Sequence, residues 1–220
     1  IELAAVCDLD ADKARRYAGR FGFLKVYDDY DRMLGEERLD GLVAVTPMAL
    51  TERIAGDLLT RGIPLVIEKP PGITSEGTRR LLHAAREHGA PHMVSFNRRF
   101  NPALTKAREW LAGPGEGRPP QLILARMLRR ARREADFAVG TGIHLIDAVL
   151  SFLGQPGRVV TRRIDTATPG CHLFASRLEF AGGAVADLVI SPDVGTDEET
   201  YEIHGPGYCI QVDEMRCAIR

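Results

Sequence analysis

Four places in the chain carry side chains whose types and surroundings suit chemistry. The first is Glu68-Lys69-Pro70-Pro71, which closes the apolar run from Ile63 to Ile67. Pro70 bars its predecessor from the helical region, so Lys69 should stand in extended backbone at the carboxyl end of a strand, the edge at which parallel sheets bind ligands. The second is Asp8, directly after the apolar segment Ile1–Cys7. A carboxylate in that place can accept both ribose hydroxyls of an adenine dinucleotide and repels a 2′-phosphate. The third is His144 with Asp147, on one face of an apolar helical stretch, where the carboxylate can orient the imidazole or set its charge. The fourth is Asn97-Arg98, placed after a strand, where both side chains can reach a ligand. Each place also has a structural reading: a solvated loop for Glu68-Lys69, a turn or helix cap for Asp8, a satisfied core residue for His144, a hydrogen-bonded hinge for Asn97-Arg98. No third ligand accompanies His144 and Asp147, so the pattern carries no metal site.

The elements that must position these side chains change in kind near residue 98. Before it, strands at Ile1–Cys7, Leu42–Val45, Leu65–Glu68 and His92–Phe96 alternate with helices that begin near Asp10, Leu50 and Ser75 and stop at Gly22, Gly62 and Gly89; a further short helix fits Tyr27–Leu34. Helices of ten or more residues between strands predict a parallel sheet with right-handed crossovers. Beyond residue 98 come a helix at Ala103–Leu111, a Gly/Pro-rich loop, a helix at Thr141–Leu153, and strands at Gln121–Leu128, Arg158–Ile164, His172–Phe180, Ala184–Ile190, Thr200–His204 and Tyr208–Asp213. Ala181-Gly182-Gly183 is a hairpin signal. The expectation is an α/β parallel-sheet domain over residues 1–98, followed over residues 99–220 by an α+β domain with an open, mainly antiparallel sheet.

Composition removes several functions. The 220 residues carry 29 basic and 30 acidic side chains, so no global field draws the protein to nucleic acid or to an anionic membrane. Arg126 to Arg133 holds five arginines, but without interleaved aromatics it reads as an exposed strand face and not as a nucleic-acid site. Cys7, Cys171, Cys209 and Cys217 form no Cys-x-x-Cys pair, which argues against a disulfide framework or zinc ribbon and for a reducing cytoplasm. No apolar run approaches the roughly 20 residues that span a bilayer. Strand character from Ile1 onward predicts a preceding strand and turn in the full-length polypeptide, and weak or absent dinucleotide binding by the 220 residues alone.

Asp8, Thr46-Pro47, Glu68-Lys69-Pro70, Asn97-Arg98-Arg99-Phe100-Asn101-Pro102 and Gly142-Ile143-His144-Leu145-Ile146-Asp147 occur in an order and spacing that resemble the Gfo/Idh/MocA family of nicotinamide-dependent oxidoreductases. The resemblance covers most of the chain, without the family's first strand and glycine-rich turn. It implies a Rossmann-type dinucleotide-binding domain followed by a sheet domain that carries substrate contacts and the interface of a homo-oligomer. It implies a hydride transfer between a nicotinamide and a secondary alcohol or carbonyl of a sugar, polyol or related small metabolite, with NAD favoured over NADP by Asp8. Carried over residue by residue, it places Lys69 beside the nicotinamide and the reacting carbon, where the amine holds the hydroxyl and helps move its proton. His144 becomes the second catalytic residue. Thr46, Pro47, Glu68 and Asn97 fall to the cofactor, and Arg98, Asp136 and Asp147 to the substrate.

Two departures stand against that pattern. The family usually has a histidine where Thr51 stands, and its sugar and polyol dehydrogenases often carry an aspartate at the position of Gly140. Either Asp136 serves in place of that aspartate, or Lys69 and His144 work without it, or the chain is a non-catalytic member that binds a metabolite or acts as an assembly subunit.

Overall fold

Short apolar strands and the amphipathic helices between them build the amino-terminal part of the chain. A computed structural model describes residues 1–220, which fall into two units, Ile1–Val94 and Ser95–Arg220. The first contains β1 (Ala5–Cys7), α1 (Ala11–Phe21), β2 (Lys25–Tyr27), α2 (Tyr30–Glu36), β3 (Leu42–Ala44), α3 (Met48–Thr60), β4 (Leu65–Ile67), α4 (Ser75–Glu87) and β5 (His92–Val94). Helix starts follow from side-chain caps. Asp10 accepts the N–H groups of Asp12 and Lys13, Asp29 that of Arg32, and Thr74 that of Gly77. Ala55, Leu59, Leu65, Ile67, Leu81 and Ala85 form the buried centre.

Three expectations about this unit need correction. The strands form two parallel sheets and not one: β1 pairs with β2, and β3, β4 and β5 pair in that order. Hydrophobic periodicity shows that a strand exists but not which neighbour its backbone bonds. Tyr27 ends a strand and does not open a helix, because the Asp29 cap delays the helix to Tyr30. Leu42–Val45 reads as uniformly apolar, yet Val43 is 72% exposed and only Leu42 and Ala44 point into the core.

The second unit contains a 3-10 turn (Asn97–Phe100), α5 (Pro102–Ala112), β6 (Leu122–Leu128), a π-helical turn (Ala138–Gly142), α6 (Ile143–Leu153), β7 (Pro156–Asp165), β8 (His172–Phe180), β9 (Val185–Ser191), β10 (Glu198–Gly205), β11 (Tyr208–Asp213) and β12 (Ala218–Ile219). Seven strands lie in the order β12-β11-β10-β6-β9-β8-β7, with every pair antiparallel except β6–β9. The β8–β9 hairpin turns at Ala181-Gly182-Gly183, with Gly183 at φ 81°.

Alternation divides the two faces of this sheet. Ile123, Ala125, Met127, Ala186, Leu188, Tyr201 and Ile203 pack in one core with Leu104 and Ala107 of α5 and Leu145, Ala148 and Val149 of α6. On the other face Arg126 pairs with Glu198 and Glu202, and Arg177 with Asp187. Gly142 allows the start of α6 to approach the sheet, since a Cβ there would lie 2.7 Å from Ile190 Cγ2.

Ile203 sits on a central strand with no exposed surface. Ile203→Ala should therefore destabilise this unit by about 2–5 kcal/mol, read as a lower denaturation midpoint at unchanged slope. A loss under about 1 kcal/mol would show that this face of β10 is not the packed core.

Candidate functional site

The carboxyl ends of β3 and β4 bring together two of the segments singled out in the sequence. The strands pair in parallel with Ala44 opposite Ile67, so Thr46-Pro47 and Glu68-Lys69 leave the sheet at the same edge. Glu68 N–H still donates to Ala44 O at 3.0 Å, which carries the pairing one residue past β4. The Glu68 carboxylate then folds back to accept the Lys69 backbone N–H. Lys69 is half-buried beside the buried Pro70 and Pro71. On the adjacent loop the Thr51 hydroxyl lies 3.0 Å from Thr46 Oγ1 and 3.2 Å from the Pro47 carbonyl, and Thr51 is 1% exposed. The residue at the position where a histidine was expected thus ties the Thr46-Pro47 turn to the first turn of α3. Asp8 follows β1 in the other sheet, its Oδ1 accepting the Asp10 N–H at 3.0 Å and its Oδ2 paired with Lys13.

In the second unit the residues after Phe96 are fixed by ion pairs. Arg99 grips Asp147 through both oxygens, Nε to Oδ2 and Nη2 to Oδ1, each at 2.7 Å. This bidentate pair raises the Arg99 pKa and joins the 3-10 turn to α6. Asp147, expected to serve His144 or a substrate, has both its oxygens engaged by a guanidinium. His144 is buried one turn earlier on α6, with the Phe96 ring edge-on at 6.1 Å. Arg98 turns towards the sheet, its Nε 3.1 Å from Glu214 Oε1 and 3.3 Å from Glu199 Oε1. Arg129 pairs with the other oxygen of Glu199 and donates to the Glu198 carbonyl at 2.9 Å. Asn97 is exposed, as is Asp136, which lies two residues ahead of the π-helical turn.

Arg99, Arg129, Glu199 and Glu214 were not singled out as functional in the sequence. One signal was present: in Glu199-Thr200-Tyr201-Glu202-Ile203 the acidic Glu199 is in phase with the inward-facing Tyr201 and Ile203. A carboxylate on the core side of a strand requires a cationic partner.

Comparison with known proteins finds similar proteins over most of the chain. Residues 1–96 match the oxidoreductase family with an NAD-binding Rossmann fold. The D-apiose dehydrogenase of Paraburkholderia graminis is 28% identical over 184 residues, which cover 77% of this chain and 48% of that protein. The inositol 2-dehydrogenase 2 of Saccharopolyspora erythraea is 29% identical over 219 residues, covering 95% of this chain and 61% of that protein. The chain thus spans about half to three-fifths of the length of these relatives. A levoglucosan dehydrogenase solved with NADH and levoglucosan superposes with a TM-score of 0.85 at 20% identity, over 98% of this chain and 65% of that one. This likeness identifies the fold: parallel α/β followed by a mainly antiparallel sheet.

The Glu199–Glu214 pair has a consequence for stability. Burial, and then the neighbouring Glu199 carboxylate, push the Glu214 pKa up to about 8 from an ordinary 4.5. A carboxyl whose folded pKa is raised keeps its proton in the native state while the unfolded chain releases it. Stability therefore falls as pH rises from about 4.5 to about 8 and levels off above that. Glu214→Gln, which mimics the protonated form, should flatten this slope. Its stability relative to the parent should rise by at least about 1 kcal/mol between about pH 5 and about pH 9, measured by denaturant titration. An unchanged difference across that range would show that Glu214 is ionised throughout.

Proposed function

We propose that this chain belongs to the Gfo/Idh/MocA family of oxidoreductases, whose model matches residues 1–96, and that its protein is a nicotinamide-dependent dehydrogenase or reductase. Its substrate is a secondary alcohol, or the matching carbonyl, of a sugar, polyol or related small metabolite. The observation that carries this reading is the pairing of β3 with β4, which sets Thr46-Pro47 and Glu68-Lys69 at one sheet edge within the part of the chain that matches the family. The class of substrate follows the sugar and polyol dehydrogenases to which the chain is similar.

The residues present fit a dinucleotide. Asp8 stands at a strand's carboxyl end with a partly exposed carboxylate whose pKa is lowered, chiefly by Lys13, so it is ionised and can accept ribose hydroxyls. On that ground NAD is the proposed cofactor. Thr46, Pro47, Glu68 and Asn97 complete its contacts, and residues 1–98 form its domain. When bound, the nicotinamide supplies or takes the hydride. The chain's own task is protonic. Lys69 is assigned to hold the substrate oxygen by hydrogen bond and to take its proton during oxidation. His144, buried on α6, is assigned as the second proton-carrying group. Asp136 is assigned to the substrate side. Arg98 and Asp147 reach that side through their ion pairs, holding in place the turn that carries Asn97 and the helix that carries His144.

Two further parts of the reading concern assembly and setting. The open face of the seven-stranded sheet, with charged pairs such as Arg126–Glu198 and Arg177–Asp187 between apolar stripes, suits self-association into a homo-oligomer. No helix is long and apolar enough to cross a membrane, and the four cysteines are unpaired, in keeping with a reducing cytoplasm.

Gly140 and Thr51 favour a second reading, a non-catalytic member of the family that binds a metabolite or serves as an assembly subunit. Turnover decides between them. In the protein expressed from its natural gene, Lys69→Met should lower kcat on an oxidised sugar or polyol by about 10²–10⁴-fold while NAD affinity stays within about threefold. Activity that survives this change would remove Lys69 from the chemistry, and a wild-type protein inert on a broad sugar and polyol panel would establish the second reading.

A further inference from the structure

Two buried carboxyl groups and one guanidinium N–H meet at the turn that carries Asn97. Arg98 Nε lies 3.1 Å from Glu214 Oε1 and 3.3 Å from Glu199 Oε1, and it has a single hydrogen to give. Neither contact is aimed well enough to be a hydrogen bond: Arg98 Nε, Glu199 Oε1 and Glu214 Oε1 are all buried without one. The rest of the cluster is committed. Glu199 Oε2 takes Arg129, which follows β6 and also donates to the Glu198 carbonyl, and Arg98 Nη2 reaches the same Glu199 oxygen only at 3.5 Å. Other neighbours bring Glu214 no cation. Tyr201 of β10 turns its hydroxyl to Glu214 Oε2 at 3.4 Å, Arg108 of α5 donates to the Arg99 carbonyl and to Ser151, and Asp213 and Arg216, which flank Glu214 in the chain, pair with each other. Arg98 is thus the one cation paired with Glu214.

We infer that Glu214 is a positioning residue for the proposed cofactor site: its proton decides how firmly Arg98, and with it the Asn97–Phe100 turn, is held. The part that concerns the cofactor rests on the reading of the protein as a nicotinamide-dependent oxidoreductase, in which Asn97 is a cofactor contact. With Glu214 protonated, Arg98 and Arg129 both depend on the Glu199 carboxylate. Arg129 is the closer of the two, so Arg98 is the weaker partner and the turn opens more readily. Once Glu214 loses its proton, each arginine has a carboxylate of its own. Release of Arg98 would then leave a buried anion without its cation, which the folded chain strongly resists. The turn has few bonds of its own, from the Arg99 N–H to Phe96 O at 3.1 Å and from the Asn101 N–H to Arg98 O at 3.0 Å. A change at Arg98 therefore passes directly to Asn97, its neighbour in the chain. Arg99, anchored on Asp147, holds the other side of the turn in both states. Burial, and then Glu199, push the Glu214 pKa up to about 8, which places the change just above neutral pH.

The alternative is that the cluster only holds the fold together. Two measurements on the protein expressed from its natural gene, and on its Glu214→Gln variant, separate the two. Hydrogen exchange of residues 95–101, corrected for the intrinsic pH dependence of exchange, reads the turn without any ligand. In the wild type its protection should rise at least about fivefold between about pH 6.5 and about pH 9, and in the variant by less than about twofold. Fluorescence titration with NADH reads the consequence. The ratio of the variant's dissociation constant to that of the wild type should be about 1 at about pH 6.5 and at least about 3 at about pH 9. Wild-type protection or a ratio that stays flat across that range, or a Glu214→Gln variant that does not fold at neutral pH, would overturn the inference and leave the oxidoreductase reading intact. A wild-type protein that binds no NADH would remove that reading and this inference together.

Discussion

Parallel pairing of three short strands decides where the first unit can place its chemistry. Ala44, Ile67 and Val94 stand in register across β3, β4 and β5, and strands that run the same way end at the same edge. Antiparallel pairing would have sent Thr46-Pro47 and Glu68-Lys69 to opposite ends of the sheet. The strands are three residues long, so ladder hydrogen bonds alone hold their ends weakly, and the loops carry additional ties. The Glu68 carboxylate takes the Lys69 N–H, and Thr51 takes the Thr46-Pro47 turn. Gly72 completes this local closure. A Cβ there would lie 2.6 Å from the Thr78 backbone nitrogen, so only glycine lets the chain after Pro71 pass this close to α4. The backbone around Lys69 is thus determined from both sides.

The second unit solves a different problem with charge. Arg98, Arg129, Glu199 and Glu214 meet with both carboxylates almost wholly buried. Removing such groups from water costs several kcal/mol each, and apolar side chains of similar volume would often be at least as stable. What apolar residues cannot do is choose among directions. Arg98 bonds inward to the sheet while its neighbour Arg99 bonds to α6, so the turn at Asn97–Phe100 is held from two sides by partners that cannot exchange. The raised Glu214 pKa is the cost of this arrangement: burial first, and then the adjacent Glu199 carboxylate, favour its protonated form.

Much of this was legible in the sequence. Periodicity of two marked the strands of the sheet domain to within a few residues, and glycine stops at Gly22, Gly62 and Gly89 closed helices where φ turns positive. The spaced motifs resemble those of the oxidoreductase family whose model matches residues 1–96. Partner choice was hidden. Nothing local in Leu42–Ala44 states that β3 bonds to β4 and not to β1, and the split into two sheets followed from that. Ion pairs across large sequence separations were hidden for the same reason. Arg98 and Asp147 read as residues on the substrate side, and nothing local shows that they also bond partners 101 and 116 residues away for Arg98 and 48 for Asp147. Only the phase of Glu199 within β10 pointed inward.

The absent aspartate at Gly140 is best weighed against the residues around it. The Gly140 N–H donates to the Asp136 carbonyl at 2.8 Å within a π-helical turn, and two residues later Gly142 lets the chain lie against Ile190. Between Phe137 and Ile146, His144 is the one ionisable side chain. Asp147, one turn further, is held by Arg99 through both carboxylate oxygens. With glycine at position 140, His144 is the one group that this stretch can offer to the proposed reaction.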